Sequence, residues 1–127
     1  MGRKRSTTLT EAELRLMEVL WERGHATVAE VTAALLPPPI AYNSVLTTMR
    51  ILEQKGYAAH DEVGRAFIYR PLVARDTAAR SAVGHLLTRF FGNNAGELAL
   101  KLIEAERPSA DELARLRRLV DRYEEGS

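Results

Sequence analysis

Residues 41 to 56 read AYNSVLTTMRILEQKG and are followed directly by YAAHDEVGRAFIYRP, residues 57 to 71. The first stretch predicts a helix from about Tyr42 to Lys55, with Gly56 placed to cap its C-terminus. At about 100° per residue, Val45, Thr48, Met49 and Leu52 share one face and form its core side. Asn43, Thr47, Arg50 and Gln54 fall together on the opposite face. No carboxylate interrupts that stripe, and its groups are those that hydrogen-bond base edges and phosphates. An ordinary solvated helix face mixes Glu and Lys; this one has neither.

The period changes after Gly56. Residues 57–61 and 66–70 are strand-like, and Glu62-Val63-Gly64-Arg65 between them carries a turn glycine. Pro71 ends the second strand. Upstream, capping boxes mark the helix starts, because a Ser or Thr N-cap with Glu three residues on satisfies orphan backbone N–H groups from both sides. Thr10 with Glu13 opens a helix from about Glu11 to Arg23 that buries Leu14, Met17, Leu20 and Trp21 and stops at Gly24. Thr27 with Glu30 opens a short one burying Val28, Val31 and Leu35. Pro37, Pro38 and Pro39 forbid its continuation. Three short helices and a β-hairpin in this order outline a winged helix-turn-helix over residues 1–73.

Residues 74–127 read as helix throughout. Arg75 to Phe91 places Ala79, Val83, Leu86, Leu87 and Phe90 on one face, with Gly92 as a stop. A helix from Ala95 to about Ala105 follows, introduced by Asn94 with Glu97 and carrying Leu98, Leu100, Leu102 and Ile103. Pro108 breaks it. Ser109 with Glu112 opens the last helix, which presents Leu113, Leu116, Leu119, Val120 and Tyr123 as an apolar stripe to about Glu124. Three amphipathic helices of this size need a further surface to build a core, and the simplest is the same segment of a second copy. The expected interface is Val83, Leu86, Leu87, Phe90, Leu98, Leu102, Leu113, Leu116, Leu119, Val120 and Tyr123. The fold class is thus mainly α with a small β-hairpin, a winged helix plus a C-terminal helical dimerisation region.

Composition narrows the function. Of 127 residues, 46% are hydrophobic and 28% charged, the balance of a globular protein. No apolar run approaches the roughly 20 residues of a membrane span, no hydrophobic run follows Arg3, Lys4 and Arg5, and a cytoplasmic location without membrane insertion is the expectation. With no cysteine, disulfides, thiolate metal sites and a cysteine nucleophile are excluded. The net charge is +1, with +1 up to Val73 and 0 beyond it, so any nucleic-acid contact depends on local placement of basic groups. His25, His60 and His85 lie on three different elements and lack metal-ligand spacing. Gly92 to Gly96 is a helix break and not a phosphate loop. No base stands beside a nucleophile, so neither an enzyme nor a cofactor is expected.

Several positions near the stripe keep two readings. Leu46 packs against the first helix or meets a thymine methyl. Ser44 faces phosphate at the positive end of the helix dipole. Tyr42 is a stacking residue or a phosphate donor. Arg65, at the hairpin tip, reaches phosphates or the minor groove or is simply solvated. The basic residues 3–5 form a backbone-contacting arm or an ordinary basic terminus.

Residues 14–24 (LRLMEVLWERG), 41–56 and 64–71 (GRAFIYRP) together resemble the penicillinase-repressor family of the BlaI/MecI type. The resemblance is strongest over residues 9–73 and holds in layout over the tail. It implies a homodimer on a palindromic operator in double-stranded DNA, with intertwined C-terminal helices. It also implies operator contacts by Asn43, Ser44 and Thr47 and a wing contact by Arg65. This chain has Ile51 where the family usually has arginine, with Arg50 one position earlier, so a different operator sequence is expected. In the antibiotic-responsive branch a membrane sensor protease releases the repressor through cleavage at an Asn–Phe bond in the fifth helix; the matching positions here are Lys101-Leu102. The copper-responsive branch uses cysteines that this chain lacks. The function expected is a dimeric repressor released by an inducing signal. The alternatives are a winged helix serving protein–protein contact and a regulator answering to a small molecule.

Overall fold

The computed structural model describes residues 8–126; the basic segment Arg3-Lys4-Arg5 lies outside the described residues. The element order is α1 (Glu11–Arg23), β1 (Ala26–Thr27), α2 (Val28–Ala34), α3 (Tyr42–Gln54), β2 (Ala58–Val63), β3 (Ala66–Pro71), α4 (Arg75–Phe91), α5 (Ala95–Glu106) and α6 (Ala110–Glu125). The boxes of Thr10 with Glu13, Thr27 with Glu30 and Ser109 with Glu112 all form reciprocally, and the Asn94 side chain accepts from the Glu97 N–H. The strands make one antiparallel sheet in the order β1-β3-β2. The two-residue β1, which periodicity cannot signal, exists through its pairing of Ala26 with Tyr69 and Thr27 with Ile68.

Among the described residues the chain divides into two compact units, the first ending at His85 and the second beginning at Leu86. In the first, Leu16, Met17, Leu20, Val31, Val45, Met49 and Leu52 are completely buried, with Tyr69 of the sheet among them. Ala78, in the first turn of α4, joins this core. The Trp21 indole N–H donates to the Val73 carbonyl at 2.8 Å, and the Arg75 guanidinium lies 5.2 Å above the indole ring. Leu14 departs from expectation: it is exposed, while Leu16 and Val19 are buried. Glu13, a buried carboxylate, takes a core-facing position in the same turn, while Met17 and Leu20 are buried as expected.

The hairpin is tighter than its sequence suggests. Val63 pairs with Ala66, which leaves Gly64 and Arg65 as a two-residue turn. Gly64 adopts φ +63°, the positive value such turns require at their first central position. In the second unit, α5 and α6 form a groove of about 810 Å³ whose apolar floor includes Leu102, Ile103, Leu116 and Leu119. Arg115, Arg118 and Arg122 also line it.

Candidate nucleic-acid interface

The site is built on α3. Val45, Met49 and Leu52 are fully buried and fix the rotation of the helix, so the residues on the other side must face out. Asn43, Thr47, Arg50 and Gln54 are all exposed, as are Tyr42 and Ser44 at the helix start. Thr48, assigned to the core side, is half-buried, with its hydroxyl donating to the Ser44 carbonyl at 2.8 Å. Leu46 is partly buried against the core, which is the packing reading of that residue.

Local chemistry prepares this face. The Thr47 hydroxyl donates to the Asn43 carbonyl at 3.0 Å, so its proton is engaged and its lone pairs point outward as acceptors. Asn43 and Gln54 carry amides, which both donate and accept, and Arg50 carries a fork of donors suited to guanine or phosphate. The N-cap is Ala41, without a capping side chain, and the first turn contains no acid. Its N–H groups and the positive dipole end therefore favour an anion. The preceding loop is held by Arg15 of α1, whose guanidinium donates to the carbonyls of Leu36 and Pro38.

The C-terminus of α3 aims the wing. Gly56 takes φ +85°, its N–H bonds the Glu53 carbonyl at 3.1 Å, and the Tyr57 N–H bonds the Leu52 carbonyl at 2.9 Å. This is a Schellman motif, and Leu52 and Tyr57 supply its buried apolar contact. The chain reverses there into β2 and the hairpin, which carries Arg65 exposed at its tip. Asp61 and Arg70 pair across β2 and β3 at 3.0 Å on the hairpin surface.

Two residues emerge that the sequence had not joined. Glu53, set off the stripe by its helical angle, accepts from His60 of β2. The signal was absent from any one-dimensional period, because the contact spans the turn from helix to strand. Nearby, the Tyr69 phenol is pushed above its ordinary value, first by burial and then by the Glu53 charge, while Arg50 pulls the other way. Arg50 and Glu53 therefore lie in one electrostatic neighbourhood at the root of the wing.

The tail residues are placed as follows. Val83, Leu86, Phe90, Leu102, Leu119, Val120 and Tyr123 are exposed, Leu87, Leu113 and Leu116 are half-buried, and Leu98 is buried within its own chain. Among the described residues no cluster of His, Asp and Glu is arranged to hold a metal, and no helix is long and apolar enough to cross a membrane.

Helices α1 to α3 followed by a hairpin, with a polar outer face on α3, define a winged-helix protein of the nucleic-acid-binding class. Residues 9–122 match the model of the family described as penicillinase repressor, and the chain belongs to that family, whose members are transcriptional repressors and not enzymes. It is 24% identical over 121 residues to the penicillinase repressor of Bacillus licheniformis, covering 94% of each chain. It is also similar to the solution structure of the DNA-binding domain of the repressor BlaI, at 26% identity and a TM-score of 0.51, over 59% of this chain and 93% of that one. The YusO protein of Bacillus subtilis shares the fold at 16% identity and a TM-score of 0.51, over 94% of this chain and 77% of that one.

Proposed function

We propose that this protein is a homodimeric repressor that occupies an inverted-repeat operator, each α3 entering a major groove with half-sites about one helical turn apart. The observation that carries the reading is the outward, acid-free face of Asn43, Thr47, Arg50 and Gln54 on a helix whose other side is locked into the core. Residues 1–73 form the DNA-binding part. Tyr42 and Ser44 meet phosphates at the helix start, and Arg65 reaches the backbone or minor groove beside it. Residues 74–127 hold the two copies together. The exposed apolar side chains there, and the apolar groove between α5 and α6, are what a second copy would cover.

Release by an inducing signal completes the cycle. The family resemblance points to a membrane sensor protease as the source of that signal. Lys101 and Leu102, exposed on α5, stand where the antibiotic-responsive branch has its Asn–Phe bond, so cleavage at this position does not follow from the resemblance. With a net charge of +1, affinity rests on a few phosphate contacts, so its fall with salt is modest. Selection from a pool of random duplexes tests the reading. Enrichment of an inverted repeat is expected; a pool that enriches no motif would mean that the α3 face is merely solvated.

A further inference from the structure

The Schellman turn at the end of α3 brings β2 back toward Glu53. His60 Nδ1 lies 2.9 Å from Glu53 Oε1 and 2.8 Å from Oε2, a bridge between recognition helix and wing. The imidazole stacks on Phe67 of β3 at 4.2 Å and meets the Tyr69 ring at 5.3 Å, so it is fixed from the strand side as well. The side chains remain 30% and 33% exposed, open to solvent protons and to the field of any polyanion laid along α3.

The surrounding groups define the charge. From α3 come Glu53 and Arg50, both of which act on Tyr69. From β3 come Phe67 and Tyr69, the latter kept neutral by burial. On the strand of His60 itself, Asp61 is engaged by Arg70. With the imidazole neutral, the pair keeps the full negative charge of Glu53, one residue from Gln54 and three from Arg50. With the imidazole protonated, the pair is neutral overall and its hydrogen bond is charge-assisted. Phosphates favour the second state, and a ligand that favours one state populates it. Histidine is the side chain whose ordinary charge change falls between pH 5 and 8.

We propose that Glu53 and His60 are positioning residues for DNA recognition: they clamp the wing to α3, and proton uptake by His60 strengthens the grip on the operator. The proposal rests on the DNA-binding reading above and adds a proton to it.

The test titrates the full chain onto a fluorescent duplex carrying the enriched sequence, at pH 8 and pH 6 and one ionic strength. Wild-type affinity is expected to rise about three- to tenfold on acidification. His60→Gln still donates to Glu53 but takes up no proton; its affinity should stay level between pH 8 and pH 6. Glu53→Gln should bind at pH 8 about as tightly as wild type does at pH 6, an improvement that loss of a purely structural contact would not produce. Equal pH slopes for wild type and His60→Gln overturn the proposal while leaving operator binding intact. If His60→Gln melts early, Glu53→Gln decides alone, and no gain at pH 8 overturns it. Failure of wild type to bind any duplex overturns both readings.

Discussion

Lys55 Nζ, just past the end of α3, lies 2.7 Å from Glu13 Oε1 in the first turn of α1, with the two side chains 13% and 6% exposed. The same ammonium donates to the Thr8 carbonyl at 3.1 Å, and the same carboxylate oxygen accepts from the Thr10 N–H at 2.9 Å. One buried ion pair therefore ties the helix cap of α1 to the exit of α3. A pair so dry is costly to break from one side, because the remaining charge stays buried. Lys55→Met is expected to lower stability by about 3 kcal/mol. Urea unfolding should show a lower midpoint with an unchanged slope. Glu13→Gln with Lys55→Met should recover part of the loss; a single mutant as stable as wild type would show that the pair contributes little.

The second copy is tested at Val120, 55% exposed on α6. A carboxylate there is solvated in an isolated chain and buried unpaired in a dimer, which costs several kcal/mol. Sedimentation of Val120→Asp should show a monomer with wild-type helix content by circular dichroism. A dimer that survives would place the interface elsewhere.

Glu30 gives a pH prediction of known sign. Its carboxyl is held below the ordinary value of 4.5, first by the hydrogen bond from the Thr27 backbone and further by the Arg23 charge. A depressed value in the folded state means that the ion stabilises the fold above the unfolded value and that this contribution fades as pH falls below 4.5. Glu30→Gln should therefore melt below wild type at pH 7, and the gap should close on acidification through that range. A gap that does not change with pH would assign the effect to something other than the charge.

Much of this architecture was legible in the residues. Helix starts were readable because Thr10, Thr27 and Ser109 carry their own caps, a signal that needs no tertiary context. The outward stripe of α3 was readable because Val45, Met49 and Leu52 fix the helix rotation. What escaped depends on partners distant in sequence. Glu13 reads in the sequence as the partner of the Thr10 cap, and its burial depends on Lys55, 42 residues away. Strand β1 has two residues and no pattern of its own; only Tyr69 and Ile68 opposite make it a strand. Glu53 and His60 each read as ordinary polar residues, and their meeting is a product of the turn at Gly56.

The central claim, that the exposed face of α3 reads base pairs, rests most heavily on Arg50. Its most direct measurement compares the sequences selected from random duplexes by wild type and by Arg50→Ala. The expected result is an inverted repeat for wild type. The variant should lose preference at one position in each half-site, with affinity for the wild-type sequence weaker by about 1–3 kcal/mol. Identical profiles and affinities for the two proteins would contradict the account.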